Sequence, residues 1–243
     1  MSLTLKRYQN LNFVSGPLVV VDAGYRYCYG AIVDLVMPDG SIRAGQVLDT
    51  SEDKAVIQVL EESRAIDVRD TAVNLREETA KIGLSKDMIG RVFSGIGKPR
   101  DGLPDIIPED RLDIGDLALN PVARAKPEAF IQTGISAIDS FNTLVRGQKL
   151  PIFSGSGLPA NEIAAQILNQ AKVIGGETNS VIVFGAMGIT QREEAFFVKN
   201  FEENGSLGKV VSFMNLASDP TIERILTPRY ALTTAEYLAY QCE

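Results

Sequence analysis

The chain has 243 residues, 45% of them hydrophobic and 23% charged, with a formal net charge of −7. That is room for one or two domains of ordinary globular composition, and the acidic balance argues against broad nucleic-acid binding, which needs a basic face. Histidine is absent, which excludes Ser-His-Asp and Cys-His nucleophiles, His-ligated zinc and imidazole acid–base chemistry.

The N-terminal stretch from Met1 to Arg7 is too polar for a secretory signal, and no apolar run approaches the roughly 20 residues needed to span a bilayer. Short β-branched runs at 13–14, 18–21, 31–36, 46–48 and 55–60 are separated by turn signals. Among these, Pro38-Asp39-Gly40-Ser41 is a hairpin signature. Several short strands within residues 1–75 predict a small closed barrel, which leaves no exposed edges. Residues 76–125 are rich in Gly, Pro and Asp and read as an ordered connector belonging to the core domain. Residues 126–243 alternate strand and helix. Helices are expected over 135–144, 161–174, 191–204 and within 227–242; strands are expected over 149–153, 180–186 and 210–215. Buried apolar strands alternating with helices predict a parallel sheet covered on both faces. The last helix ends at Glu243 without a glycine cap or a following strand, which reads as a fragment of a longer chain whose α/β domain is incomplete at its C-terminus. Cys28 and Cys242 have no metal-ligand spacing and read as free thiols of a reducing compartment.

The segment 150–168 carries the most chemistry. An apolar run, Leu150 to Phe153, enters small residues and then a helical pattern with Ile163, Ala164, Ile167 and Leu168 on one face. A phosphate-binding loop reads G-x-x-x-x-G-K-[ST], the Lys reaching the terminal phosphates and the hydroxyl holding Mg²⁺. Here the loop is Ser154-Gly155-Ser156-Gly157-Leu158-Pro159. Leu158 stands for the lysine, and Pro159 for the hydroxyl residue, without even an N–H to donate. A charge-assisted hydrogen bond contributes roughly 1.5–3 kcal/mol, so loss of the lysine alone lowers triphosphate affinity about 10- to 100-fold. Backbone N–H groups at a helix N-terminus still permit weak anion binding. The loop reads as the mark of a non-catalytic member of an ATPase family, with no catalytic residue and no metal site of its own.

Five segments, 87–93, 130–139, 144–151, 153–159 and 231–239, resemble those of the non-catalytic B subunits of the V/A-type rotary ATPases. The likeness covers the whole chain but about the first half of such a subunit. The Thr133-Gly134-Ile135-Ser136-Ala137-Ile138-Asp139 element is similar to one shared by rotary ATPase head subunits, and Phe153-Ser154-Gly155-Ser156-Gly157-Leu158-Pro159 picks out the B type. Catalytic relatives carry Gly-Glu-Arg after the next strand, its Glu polarising water; here Gly188-Ile189-Thr190 puts Ile189 in that place. The resemblance implies a P-loop-NTPase-like (RecA-like) α/β domain behind the barrel. It implies a cytoplasmic A3B3 ring in which catalytic A subunits alternate with B, joined to central and peripheral stalk subunits. ATP is made or hydrolysed at A–B interfaces, coupled to proton or sodium transport, and any ATP or ADP is held weakly at a subunit interface. The family's phosphoryl-stabilising arginine lies beyond Glu243, so Arg146, Arg192, Arg224 and Arg229 read as surface or interface ion pairs, and Asp139 and Glu236 as helix or interface carboxylates. Two other readings stay open: a protein-interaction module without a nucleotide role, and an independent carboxylate-based hydrolase.

Overall fold

The computed structural model describes residues 7–8, 11–22, 27–60, 66–115, 122, 126–174 and 180–242. The last part of the connector reading, residues 116–121 and 123–125, and the terminal Glu243 lie outside them.

Seven strands form the N-terminal sheet: β1 (Arg7–Tyr8), β2 (Leu11–Ser15), β3 (Leu18–Asp22), β4 (Ala31–Val36), β5 (Ile42–Thr50), β6 (Lys54–Val59) and β7 (Ala72–Thr79). Their order is β1-β7-β4-β5-β6-β3-β2. β1 and β2 stand on opposite edges of that order, yet Tyr8 and Leu11 are near neighbours in the chain. Three residues reach at most about 11 Å, so the two edges must come together and the sheet rolls into a barrel. One apolar cluster fills it, with Val19, Val21, Val33, Leu35, Val47, Ala55, Ile57, Val59 and Val73 drawn from five strands. The expected hairpin is present between β4 and β5. Gly40 takes a φ of 82° there, and the Asp39 carboxylate accepts the Ser41 N–H at 2.8 Å and hydroxyl at 2.6 Å. Barrel pairing runs past residue 75, since Thr79 still pairs with Ala31.

The segment read as a connector is built into the second domain. β8 (Lys81–Leu84) pairs with β10 (Asp110–Asp113), and β9 (Val92–Ser94) is a strand of the parallel sheet. Then follow β11 (Phe130–Gln132), α1 (Ser136–Phe141), β12 (Leu144–Val145), α2 (Ala160–Gln170), β13 (Lys172–Val173), β14 (Ile182–Ile189), α3 (Gln191–Glu203), β15 (Val210–Leu216) and α4 (Thr221–Tyr240). The parallel sheet has the order β14-β15-β9. Strand alternation sorts its side chains. Val183, Val211, Phe213 and Phe93 face α4 with Ile222, Leu226 and Tyr237. Ile182, Phe184, Ala186, Val210 and Met214 face α2 and α3 with Ala165, Phe197 and Phe201. The result is a three-layer α/β/α core.

Four expectations need correction. The 161–174 helix ends at Gln170, because Lys172 and Val173 form β13 and pair with β11. Residues 149–153 form no strand: they pair with none of the described strands, and Phe153 is 92% exposed. An apolar run becomes a strand only where a neighbouring strand satisfies its backbone, and none does so here. The 135–144 helix is shorter, Ser136–Phe141, because Leu144 and Val145 pair with β11. The last helix starts earlier, at Thr221, and passes through Pro228. Proline removes one helical N–H, but burying Ile222 and Leu226 on the sheet outweighs that loss.

Candidate functional site

In open α/β sheets, ligands bind beyond the carboxyl ends of the strands. Here that end gathers the loop before α2, the turn after β14 and the turn after β15.

The loop lies open to solvent. From Ser154 to Pro159 every residue is exposed, Leu158 at 64%. Gly157 sits at a φ of 82°, which its turn requires. The Leu158 N–H donates to the Gly155 carbonyl at 3.3 Å and the Ala160 N–H to the Leu158 carbonyl at 2.8 Å. Pro159, the N-cap of α2, offers neither an N–H nor a side-chain cap. The backbone donors flanking Pro159 are thus turned onto the loop itself, and the side chain in the lysine's place is an exposed Leu. These residues do not fit a tightly held Mg-triphosphate, which needs a cation, a hydroxyl and free N–H groups together.

β14 ends at Ile189, an apolar side chain with no means of orienting water. Thr190 then caps α3 in a capping box. Its hydroxyl accepts the Glu193 N–H at 3.3 Å, while Glu193 Oε2 accepts the Thr190 N–H at 2.8 Å and hydroxyl at 2.9 Å. Glu193 Oε1 accepts from Asn161 Nδ2 at 2.9 Å. The Thr190 N–H, then Asn161, then the Thr190 hydroxyl hold this carboxyl below the usual range. The carboxylate beside Ile189 thus takes three hydrogen bonds, from the cap of its own helix and from α2.

Arg224 reaches the same end of the sheet from α4. Its Nε donates to Asn215 Oδ1 at 3.1 Å and its Nη2 to the Ala217 carbonyl at 3.1 Å, and Asn215 Oδ1 also accepts the Gly188 N–H at 3.2 Å. A Cβ on Gly188, whose φ is 68°, would sit 3.3 Å from Arg224 Nε. Within this chain Arg224 therefore donates to the side-chain oxygen of Asn215 on β15 and to a backbone carbonyl in the turn after it. Arg146, Arg192 and Arg229 are exposed. Asp139 behaves as a local helix carboxylate, accepting from the Thr133 N–H (2.9 Å) and hydroxyl (2.7 Å) and the Gly134 N–H (3.0 Å). The Thr133 N–H leads in holding its carboxyl low.

Sequence reasoning passed over Arg100, which bridges Asp219 at 2.9 Å and Glu194 at 3.4 Å. It also passed over Asn161. The pattern Thr190-Gln191-Arg192-Glu193 is a capping-box signature that was there to be read; a side-chain bond between α2 and α3 has no local signal.

The model of the ATP synthase alpha/beta family nucleotide-binding domain matches residues 134–243, and that of the family's beta-barrel domain matches residues 13–76. The chain belongs to the ATP synthase alpha/beta family. Within the family it is 58% identical to the V-type ATP synthase beta chain of two strains of Thermus thermophilus, over 99% of this chain and 52% of the relative. It thus spans about half the length of these relatives. Among solved structures it superposes on the assembled ATPase EscN of the enteropathogenic E. coli type III secretion system. The TM-score is 0.83 at 22% identity, covering 95% of this chain and 53% of that one. That likeness speaks for the fold, a β-barrel followed by a nucleotide-binding α/β domain. Among the described residues, no helix is long and apolar enough to cross a membrane.

Proposed function

We propose that this chain is part of a non-catalytic B-type subunit in the head of a V/A-type rotary ATPase. It would alternate with catalytic A subunits in an A3B3 ring, in the cytoplasm at the membrane surface, and contact the stalk subunits. ATP would be made or hydrolysed at A–B interfaces, coupled to ion transport. The barrel, extended to the end of β7, would serve as one unit and the rest of the chain as the other. The loop Ser154–Pro159 carries the reading. It keeps the following helix of a phosphate loop and its place at the carboxyl end of the sheet, while Leu158, Pro159 and Ile189 remove cation, hydroxyl and water-orienting carboxylate together. Those residues hold an anion weakly or not at all. The beta-chain relatives at 58% identity support the same assignment.

The test is turnover of Mg-ATP by the full-length subunit, alone and assembled with its catalytic partner. The isolated subunit should be inactive, and the assembly should keep its turnover when Leu158→Ala is introduced. Hydrolysis by the isolated subunit that is lost on substituting Leu158 would overturn the reading.

A further inference from the structure

Asn161 and Glu193 join two elements that the degenerate loop leaves unconnected. Asn161 lies in the first turn of α2, directly after the loop. Glu193 lies in the first turn of α3, directly after the turn that ends β14. One carboxylate takes donors from both sides, Asn161 Nδ2 on Oε1 and the Thr190 N–H and hydroxyl on Oε2. A phosphate bound at this end of an α/β sheet occupies the same electrostatic role: an anion that receives donors from a helix N-terminus and a neighbouring strand end. The other end of the helix pair is also tied. Asn169 Nδ2 donates to Asn200 Oδ1 at 2.6 Å, and the Ser206 hydroxyl donates to Asn169 Oδ1 at 2.9 Å. Between the two ties, Ala165, Phe197 and Phe201 are buried.

We infer that Glu193 is a built-in anion that, through Asn161, holds α2 and its loop against α3 in one arrangement that does not respond to nucleotide. The helix pair then moves as one body, and the negative charge beside the first turn of α2 repels a second anion. This rests on the reading that the loop binds nucleotide weakly or not at all. Asn161 and Glu193 are positioning residues in it.

The experiment is amide hydrogen exchange over residues 154–170 of the full-length subunit, with and without Mg-ADP, paired with equilibrium dialysis of Mg-ADP on the same samples. In the wild type, Mg-ADP should leave exchange in the first turn of α2 unchanged. Asn161→Ala should raise exchange there about tenfold, the loss expected for one hydrogen bond to a charged group, with barrel amides in β4 unaffected. Glu193→Gln keeps an acceptor for Asn161 but removes the charge, which weakens the tie, so exchange in the first turn of α2 should rise by less than in Asn161→Ala, and Mg-ADP, still weakly held, should bind a few-fold tighter in dialysis. Unchanged exchange in both variants overturns the inference while leaving the weak-binding reading in place. If Asn161→Ala fails to fold, exchange in Glu193→Gln decides alone. Tight Mg-ADP binding by the wild type overturns the weak-binding reading first, and the inference with it.

Discussion

Arg91 and Asp101 close the Gly/Pro-rich segment with a two-pronged ion pair. Arg91 Nε meets Asp101 Oδ2, and Nη2 donates to Oδ1 at 3.0 Å and to the Pro104 carbonyl at 2.9 Å. Asp101 also accepts the N–H groups of Val92 at 3.3 Å and Leu103 at 3.1 Å. The guanidinium lies 5.8 Å from the centroid of the Phe93 ring. A segment with little regular structure is thus held by one carboxylate, at the point where it supplies β9 to the sheet.

Asp101→Asn should lower stability by roughly 2–3 kcal/mol, since it weakens charge-assisted bonds and leaves a partly buried guanidinium without its counter-charge. The pair should also show in the pH dependence. The Arg91 hydrogen bond leads in holding the Asp101 carboxyl below its ordinary range. Its stabilisation is therefore full above the unfolded value of about 4 and is lost as pH falls through the lower folded value. Urea midpoints of the two proteins should differ at pH 7 and converge in acid.

Glu223 should act with the opposite sign. It is 8% exposed; burial, then the charge of Asp219, pushes its carboxyl up, opposed by Lys98 and Arg100. The folded state therefore holds this proton more tightly than the unfolded one, and stability falls as pH rises from the unfolded value near 4.3 through the raised folded value. Glu223→Gln should melt higher than the wild type at pH 7 and level with it near pH 3.5, as read by thermal scans across that range.

Ser212 lies in the middle of β15 between Phe184 and Val92 on the flanking strands. It is fully buried, and its hydroxyl has no hydrogen-bond partner among the described residues. An unsatisfied buried hydroxyl costs free energy, so Ser212→Ala should be neutral or stabilise by up to about 1 kcal/mol. A denaturation midpoint well below wild type would contradict this.

Gly45 on β5 is required by space, not by backbone angle. A Cβ there would lie 2.8 Å from Ile57 Cγ2 and 2.9 Å from Leu35 Cδ1 in the barrel core. Gly45→Ala should destabilise by about 1–3 kcal/mol through overpacking. Exchange in β4 and β6 should rise while exchange in β15 stays as in the wild type.

The sequence made most of the strands and the faces of the sheet legible because their signals are local. The Asp39-Gly40 turn and the β-branched runs of the barrel are decided within a few residues. So are the opposite facings of Val211 and Phe213 against Val210 and Met214. What it hid was decided at a distance. Residues 149–153 look like a strand but lack a partner among the described residues, and the last helix, expected within 227–242, begins at Thr221 and runs through Pro228, pinned by Ile222 and Leu226. In the site, the missing lysine and hydroxyl were plain from Leu158 and Pro159. The fate of Glu193 was not, because its partner Asn161 belongs to another helix. The acceptors of Arg224, the carbonyl oxygens of Asn215 and Ala217, are likewise shown only by the folded chain.

β9 has a consequence for the order in which the protein is made. Every strand of the barrel has been made by the end of β7, so the strands can pair as soon as they leave the ribosome, while Ile32 and Leu60 gain their cover from the second domain later. Phe93 of β9 stacks against Phe213 of β15 with ring centroids 5.5 Å apart, and the two strands pair directly. At ordinary elongation rates the segment must wait on the order of ten seconds for that partner to be synthesised. During this interval Arg91 and Asp101 can already close their own turn, since both lie within one short stretch. The ion pair would then hold β9 in shape as a template on which the parallel sheet assembles when β15 arrives.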